Sequence, residues 1–95
     1  MIYLNVLLKV KDPADVSRVR ELLVQQRQHS LKEPGCARFE VYHSNTDPSR
    51  FVLNERWETQ ADLDQHRLAH AYTQIYQPLV LPLVDREGHP CDLVE

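Results

Sequence analysis

The chain has 95 residues, and we expect residues 1–95 to form a single domain with a modest hydrophobic core. Its net charge is −3 without any basic run, so nucleic acid is not an expected partner, because phosphate binding needs clustered cations. No apolar stretch approaches the ~20 residues that cross a bilayer, and the two cysteines are too few for a disulfide framework. A cytoplasmic location without membrane attachment is therefore expected.

The first stretch of the chain alternates with period two, which predicts a β-strand over residues 2–11. One face carries Ile2, Leu4, Val6, Leu8 and Val10, and the other carries Tyr3, Asn5, Leu7, Lys9 and Lys11. Because both faces are largely apolar in the first half of the strand, both faces of the sheet should be covered. A chain of this length has little material for a second covering layer, which points to a partner copy.

The next segment predicts a helix. Asp12 suits the N-cap and Pro13 the first helical position. Apolar residues follow at helical spacing and indicate a helix that ends near Ser30 and is closed off by Pro34-Gly35. These residues are Val16, Val19, Leu22, Leu23 and Leu31.

Two further strands are predicted over residues 37–43 and 51–57, which are rich in aromatic and β-branched residues. The polar residues 45–49 between them contain an Asp-Pro turn, so the two strands should form a β-hairpin. The second strand ends on Trp57, the only tryptophan of the chain, directly before a predicted helix start.

Thr59 to Asp62 form a variant of the capping box and predict the start of the second helix. A break is expected at residues 69–71, followed by a helical piece that Pro78 and Pro82 interrupt. Its apolar face is predicted to hold Tyr72, Ile75, Tyr76 and Leu79, and to extend to Leu83. Gly88 is interpreted as a turn and residues 91–94 as a short last strand.

The predicted order is β-α-β-β-α-β. In a chain of this size, this order indicates a ferredoxin-like α+β sandwich, with one antiparallel sheet and both helices on one face. The other face of the sheet then needs a cover of its own.

Several motifs of the chain resemble the antibiotic biosynthesis monooxygenase (ABM) family over roughly residues 2–94. They are Glu33-Pro34-Gly35-Cys36, the run from Arg38 to Tyr42, and the run from Arg50 to Trp57 followed by Leu63-Asp64-Gln65-His66. The resemblance implies a homodimer that packs sheet to sheet into an α+β barrel. It also implies oxygenation of a quinol, phenolic or polyketide-like small molecule without a bound cofactor. The family further includes haem-degrading proteins and an isomerase of a phosphorylated signal.

Trp57 and Asn5 are candidate catalytic hydrogen-bond donors. Trp57 is either a core aromatic residue or a pocket wall whose indole N–H reaches an oxygen of a bound ring. Asn5 stands in an apolar strand, and it is either satisfied by nearby backbone or is a donor that meets Trp57. The haem-degrading branch is similar in placing an Asn, a Trp and a His where this chain has Asn5, Trp57 and His66. The Trp-to-His interval departs from that branch, and haem binding is not predicted.

His66 is the candidate catalytic base, since a neutral imidazole can take up a proton near neutral pH. A histidine on an apolar helix face can equally be a packed structural residue. His66 and His70 stand four residues apart and could share a metal ion, but no third ligand is evident, so no metal site is predicted.

Further residues are assigned to substrate binding or to the sheet face that a partner copy would cover. Tyr72, His43, Tyr76 and Arg86 are the candidate substrate-binding residues. Asn54 and Arg56 should point away from the helices, where a buried Arg56 would need a carboxylate such as Glu40 or Glu58.

Three hypotheses for the function follow. The first is a cofactor-independent monooxygenase in which His66 is the base, Asn5 and Trp57 are donors and Tyr72 positions the ring. The second is a redox-neutral isomerase of a small carbonyl compound, with Arg67 or Arg86 binding a phosphate if the substrate carries one. The third is a small-molecule-binding dimer without catalysis. No glycine-rich phosphate loop or flavin or nicotinamide motif is present, and no cofactor is predicted.

Overall fold

The computed structural model describes all 95 residues. One antiparallel sheet of four strands, in the order β2-β3-β1-β4, is covered on one face by helices. The predicted ferredoxin-like α+β fold is thus confirmed. The strands are β1 (Ile2–Val10), β2 (Cys36–His43), β3 (Arg50–Trp57) and β4 (Val84–Cys91), and the helices are α1 (Val16–Ser30), α2 (Gln60–His66) and a π-helix (Ala71–Val80).

Strand β1 is central and supplies the core with alternate residues. Leu4, Val6, Leu8 and Val10 are buried against the helices. Across the antiparallel ladder, Val6 lies between Leu53 of β3 and Gly88 of β4. The period-two pattern of the sequence therefore sets which face of the sheet is covered.

The first helical segment begins as predicted. Asp12 accepts a hydrogen bond from the amide of Ala14 and caps a 3₁₀ turn (Pro13–Asp15) that leads into α1. Val19, Leu22 and Leu23 are buried on its inner face. The predicted apolar residue Leu31 is 42% exposed because the helix ends before it.

The turn between α1 and β2 is fixed by Gly35. Its φ of 77° lies in the left-handed region, and a Cβ atom there would come within 2.1 Å of Asp62 on α2. The Gly35 carbonyl accepts a hydrogen bond from the Glu58 amide. The turn is therefore held against the start of α2, and Glu33, just before Gly35, lies next to that helix.

The second helical segment breaks earlier than predicted. Thr59 caps α2 as expected, but α2 ends at His66 and a π-helix begins at Ala71. The buried residues of the π-helix are Ala71, Ile75, Tyr76 and Val80. The wider turn of a π-helix explains why Val80 is buried while the predicted Leu79 is 41% exposed.

The interpretation of the C-terminal segment was wrong. Strand β4 spans Val84–Cys91, and Gly88 lies inside it opposite Val6 rather than in a turn. The expected strand at residues 91–94 does not form. Most of β4 is exposed and polar, so it lacks the apolar alternation from which a strand can be predicted.

The sheet face opposite the helices carries a mixture of polar and apolar side chains. Asn54 and Arg56 lie on this open face, as predicted from the alternation of β3. Arg56 forms no ion pair with Glu40 or Glu58; its guanidinium lies 5.1 Å from the centre of the Tyr3 ring. None of the helices has the length and apolarity that crossing a bilayer requires.

Candidate functional site

A small cavity lies between the sheet and the second helical segment. Its volume is about 10 Å³, which is room for roughly one water molecule. Its walls come from β1, α1, β3, α2, the π-helix and β4, so every layer of the fold contributes to it. The lining residues are Leu4, Gln26, Glu55, Leu63, His66, Arg67, Tyr72, Tyr76 and Arg86.

His66, at the end of α2, is the most constrained polar residue of the cavity wall. Its side chain is only 3% exposed, and its Nδ1 lies 2.6 Å from Oε1 of Glu33. The Trp57 ring packs on the imidazole with 4.4 Å between ring centres, and the Tyr72 ring meets it edge-on at 5.8 Å. Because Nδ1 is held by Glu33 and Nε2 has no protein partner, the imidazole is oriented and still free to exchange a proton.

Burial acts on both partners of this contact. It raises the pKa of Glu33 to about 7, and the charge of Glu55 adds to the effect. It lowers the pKa of His66 to about 4, with a further contribution from Arg67. Both shifts disfavour the charged forms. Below about pH 7 a protonated Glu33 donates to Nδ1 of a neutral imidazole, whereas above it the carboxylate of Glu33 accepts from Nδ1–H and Nε2 is left able to accept a proton.

Glu55 on β3 is a buried carboxyl group of the site that sequence reasoning did not select. Its side chain accepts a hydrogen bond of 3.0 Å from Nε1 of Trp57. Burial raises its pKa to about 7, whereas the Trp57 hydrogen bond and the charges of Arg86 and Arg67 lower it. Glu55 can therefore change its protonation state near neutral pH inside the cavity wall.

The opposite side of the cavity holds a phenol–guanidinium pair. Nε of Arg86 donates a 2.9 Å hydrogen bond to the Tyr76 hydroxyl oxygen. Burial raises the pKa of Tyr76 to about 12, so the phenol stays protonated. The rings of Tyr72 and Tyr76 are 5.3 Å apart. The structure thus brings Tyr72, Tyr76 and Arg86 together with His66, as the predicted site requires.

One polar atom of the cavity wall lacks a partner. Gln26 of α1 is 1% exposed, and its Oε1 is buried without any hydrogen bond. An unpaired buried acceptor costs about 1–3 kcal/mol. A hydroxyl group or water in the cavity would satisfy it.

The prediction that Asn5 meets Trp57 was wrong. Asn5 pairs with Asn54 across the ladder and lies on the open face, where its Oδ1 accepts from Nδ2 of Asn54 at 2.7 Å. Its own Nδ2 donates to Sγ of Cys91 at 3.3 Å. Trp57 is fully buried on the helix face. Asn54, the partner of Asn5, is three residues from Trp57 on β3. Because side chains alternate along a strand, an odd separation places the two on opposite faces of the sheet.

His43 is also not part of the cavity. It lies at the far end of β2, where its ring stacks on Phe51 with 4.1 Å between centres. Its nitrogens contact Nη1 of Arg20 at 3.2 Å and the carbonyl of Pro48 at 2.7 Å. His43 pairs with Phe51, at the end of β3 opposite to Trp57.

Trp57 lies beside the cavity as predicted, but its indole N–H is already bonded to Glu55.

Like Glu55, Glu33 was not selected from the sequence as a site residue, although the Glu-Pro-Gly-Cys motif contains it. The period of β3 could have found Glu55, because Glu55 shares a face with Leu53 and Trp57. No pattern within the sequence connects Glu33 with His66, since the contact spans 33 residues.

The histidines do not combine into a metal site. His70 packs beside His29, with 4.8 Å between ring centres, while His66 contacts Glu33. No group of three or more His, Cys, Asp or Glu side chains is placed to hold a metal ion. The absence of a metal and of a cofactor therefore stays a prediction.

The sequence profile of the antibiotic biosynthesis monooxygenase family matches residues 1–77. This range includes Glu33, Glu55, Trp57, His66 and Tyr72. It ends before Arg86, so the contribution of β4 to the cavity lies outside the match. Comparison with curated proteins finds no relative of the chain.

Several solved structures share the fold. A conserved Bacteroides thetaiotaomicron protein, named a possible oxidoreductase, superposes with a TM-score of 0.89 at 24% identity, covering 97% of this chain and 96% of its own. Candidate antibiotic biosynthesis monooxygenases from Nitrosomonas europaea and Deinococcus radiodurans superpose with TM-scores of 0.85 and 0.86 at 24% and 23% identity. They cover 98% and 100% of this chain and 90% and 94% of their own lengths. At these identities the likeness establishes the fold alone.

Proposed function

The chain belongs to the antibiotic biosynthesis monooxygenase family, and on that premise we propose that it oxygenates a quinol, phenolic or polyketide-like small molecule without a bound cofactor. Membership supports an enzyme of this type at the level of the family. The substrate class and the residues below are our proposal. We also propose that residues 1–95 form a single domain and that the protein is cytoplasmic.

The contact between Glu33 and His66 carries this proposal. Glu33 holds Nδ1 of the buried imidazole at 2.6 Å, and Nε2 is left without a protein partner. Such an imidazole can take a proton from a phenolic hydroxyl group and leave an electron-rich anion.

The reaction that follows needs little else from the protein. The substrate anion passes electrons to dioxygen, the two combine into a peroxide, and the peroxide loses water. One oxygen atom enters the ring, and the other leaves as water with the two hydrogen atoms that the substrate gives up. His66 takes the first proton and returns it when the peroxide breaks down.

The polar groups of the wall suit an anionic ring. Arg67 and Arg86 line the cavity and would stabilise developing negative charge on an oxygen. The unpaired Oε1 of Gln26 would accept a bond from a second hydroxyl group. Tyr72, beside His66, would position the ring. Trp57 would act through Glu55, because its N–H is already committed.

Binding a ring requires the site to widen, because about 10 Å³ holds no more than roughly one water molecule. The adjustable element is the segment after α2, which breaks at residues 67–70 and continues as a π-helix carrying Tyr72 and Tyr76. π-Helical turns are frequent at functional sites. We propose that this segment shifts outward when substrate enters.

We propose that the chain forms a homodimer through the open sheet face. Leu7, in the centre of the sheet, is 40% exposed there, and Tyr42 is 52% exposed. Oδ1 of Asn54 and Nε of Arg56 on the same face are buried without hydrogen-bond partners. A second sheet would cover the apolar side chains and could supply partners for the polar ones.

Oxygen uptake by the purified protein tests the proposed function. A panel of quinols and anthrone-like phenols would be compared with each compound alone, because these compounds autoxidise. Uptake should exceed autoxidation and should fall at least about a hundredfold in His66→Gln, since general base catalysis contributes about 10²–10⁴. Val24→Ala is the matched control, because Val24 on α1 is 46% exposed and does not line the cavity. Full activity in His66→Gln would remove His66 as the base.

A redox-neutral isomerase is the second candidate. The same imidazole would move a proton beside a carbonyl group, and the two cavity arginines would suit a phosphorylated substrate. Turnover that persists without oxygen would favour this reaction. Ligand binding without turnover would favour a binding protein instead.

A further inference from the structure

His66 separates two spaces in the molecule. On its inner side lies the cavity described above. On its outer side lies a surface cleft of about 220 Å³, lined by Glu33, Pro34, Asp62, Gln65, His66 and Ala69. His66 is the only residue that lines both spaces. Its imidazole is therefore the one side chain through which a proton can be handed directly from the cavity to the surface cleft.

Glu33 is the group that meets this imidazole on the outer side. It lines the cleft, and its side chain is 14% exposed, whereas that of His66 is 3% exposed. Its backbone is fixed by hydrogen bonds from the Glu33 amide to Ser30 and from the Cys36 amide to Glu33. The carboxyl group thus touches the imidazole at one end of a fixed turn and solvent at the other.

We propose that Glu33 is the proton-exchange residue of the site, and that it passes protons between His66 and water in the outer cleft. It touches neither the cavity nor a substrate within it, so it is a positioning and relay residue. The catalytic meaning of this relay rests on the proposed role of His66 as base. The relay itself is a property of the contact and can be measured without a substrate.

Nε2 of His66 gains a proton from a hydroxyl group in the cavity, and Nδ1 gives its proton to Oε1 of Glu33. Glu33 then releases that proton to water in the cleft. When the peroxide breaks down, the same transfers run in reverse and return one proton to the cavity. No electrons move in either direction along this path.

Several charged or titratable groups surround the pair. They are Asp62 on α2, Arg67 after α2, Glu55 on β3 and Cys36 on β2. Burial and the charge of Glu55 raise the pKa of Glu33 to about 7. A relay group whose pKa lies near the working pH both accepts and releases protons readily.

Hydrogen exchange at the His66 ring, followed by ¹⁵N NMR of the imidazole, tests the proposal. In the unaltered protein, the Nδ1 proton should exchange rapidly with solvent. In Glu33→Gln, the amide oxygen still accepts the Nδ1–H bond but cannot take the proton. Exchange should therefore slow by about tenfold or more. Gln65→Ala is the matched control, since Gln65 lines the same cleft and its side chain forms no hydrogen bond with His66.

Equal exchange rates in the unaltered protein and in Glu33→Gln would overturn the proposal, as would equal slowing in Gln65→Ala. Should Glu33→Gln fail to fold, Glu33→Asp withdraws the carboxyl group by one methylene and should slow exchange in the same way. If turnover is found, Glu33→Gln should lower kcat, leave KM unchanged and flatten the rise of kcat with pH near 7. Slowed exchange in a protein without oxygenase activity would contradict the proposed function and leave the relay standing.

Discussion

The indole Nε1 of Trp57 donates a 3.0 Å hydrogen bond to Oε1 of Glu55, two residues earlier on the same face of β3. The only tryptophan of the chain is therefore not a free donor for a ligand. It holds a carboxyl group in the wall of the cavity and packs against His66 at 4.4 Å. Through these two contacts it links the carboxyl group of β3 with the imidazole of α2.

Replacing Glu55 with Gln should remove a pH dependence of stability. Because burial raises the pKa of Glu55 from 4.5 to about 7, the folded state binds more protons than the unfolded state between these values. Its contribution to stability is therefore present below pH 4.5 and is lost as the pH rises through 7. The amide keeps the shape and an acceptor for Trp57. Relative to the unaltered protein, Glu55→Gln should gain about 3 kcal/mol in free energy of unfolding between pH 5 and pH 8.

Chemical denaturation of both proteins at a series of pH values measures this difference. Glu33 has a raised pKa too and stays in both proteins, so a residual decline with pH is expected in the variant. Parallel stability curves for the two proteins would show that Glu55 ionises as easily in the fold as in the unfolded chain.

Replacing His66 with Gln should make the free energy of unfolding less sensitive to acid. Burial lowers the pKa of His66 from 6.5 to about 4, so the unfolded state binds more protons between these values. His66 thus contributes stability that is lost as the pH falls from 6.5 to 4. The variant should lose about 3 kcal/mol less than the unaltered protein over this range. An NMR titration midpoint of His66 near 6.5 would contradict the argument.

Gly35→Ala should destabilise the fold strongly, whereas Gly88→Ala serves as its matched control. At Gly35 the backbone has φ of 77°, and the new Cβ would lie 2.1 Å from the Asp62 side chain. At Gly88 the new Cβ would meet the far end of the Arg86 side chain at 2.7 Å, which can move aside. We expect about 2–3 kcal/mol for Gly35→Ala and about 1 kcal/mol or less for Gly88→Ala.

Thermal and chemical unfolding of the two variants check this ranking. The Gly88 variant has a second expected effect, because displacing Arg86 weakens its bond to the Tyr76 hydroxyl and should reduce activity. Equal stability of the two variants would mean that the turn at Gly35 adapts without strain.

Leu7→Arg should dissociate the proposed homodimer. Leu7 is 40% exposed in the middle of the open face, where a second sheet would bury it, and a buried unpaired guanidinium is costly. Leu68→Arg is the control, since Leu68 is 72% exposed on the helix side of the molecule. Sedimentation velocity should show a dimer for the unaltered protein and the control and a monomer for Leu7→Arg. A monomeric unaltered protein would refute the dimer.

The sequence determined the order of the elements and most of the covered sheet face, because both depend on local periodicity and on capping residues. Asp12, Thr59 and the alternation of β1 and β3 each signal their element within a few residues. The last strand was predicted in the right order but at the wrong residues, because the side chains of β4 are polar and exposed and its position is set by pairing with β1. The π-helix escaped prediction for a similar reason, since the burial of Val80 in place of Leu79 depends on packing against the core.

Five candidate site residues predicted from the sequence lie in or beside one cavity: His66, Trp57, Tyr72, Tyr76 and Arg86. Only the tertiary structure decided which residues join them. Pairing register put Asn5 on the opposite face, and the turn at Gly35 brought Glu33 to His66 across 33 residues of sequence. Burial then set the proton affinities of Glu33, Glu55 and His66, because the loss of solvent around a titratable group depends on what packs against it.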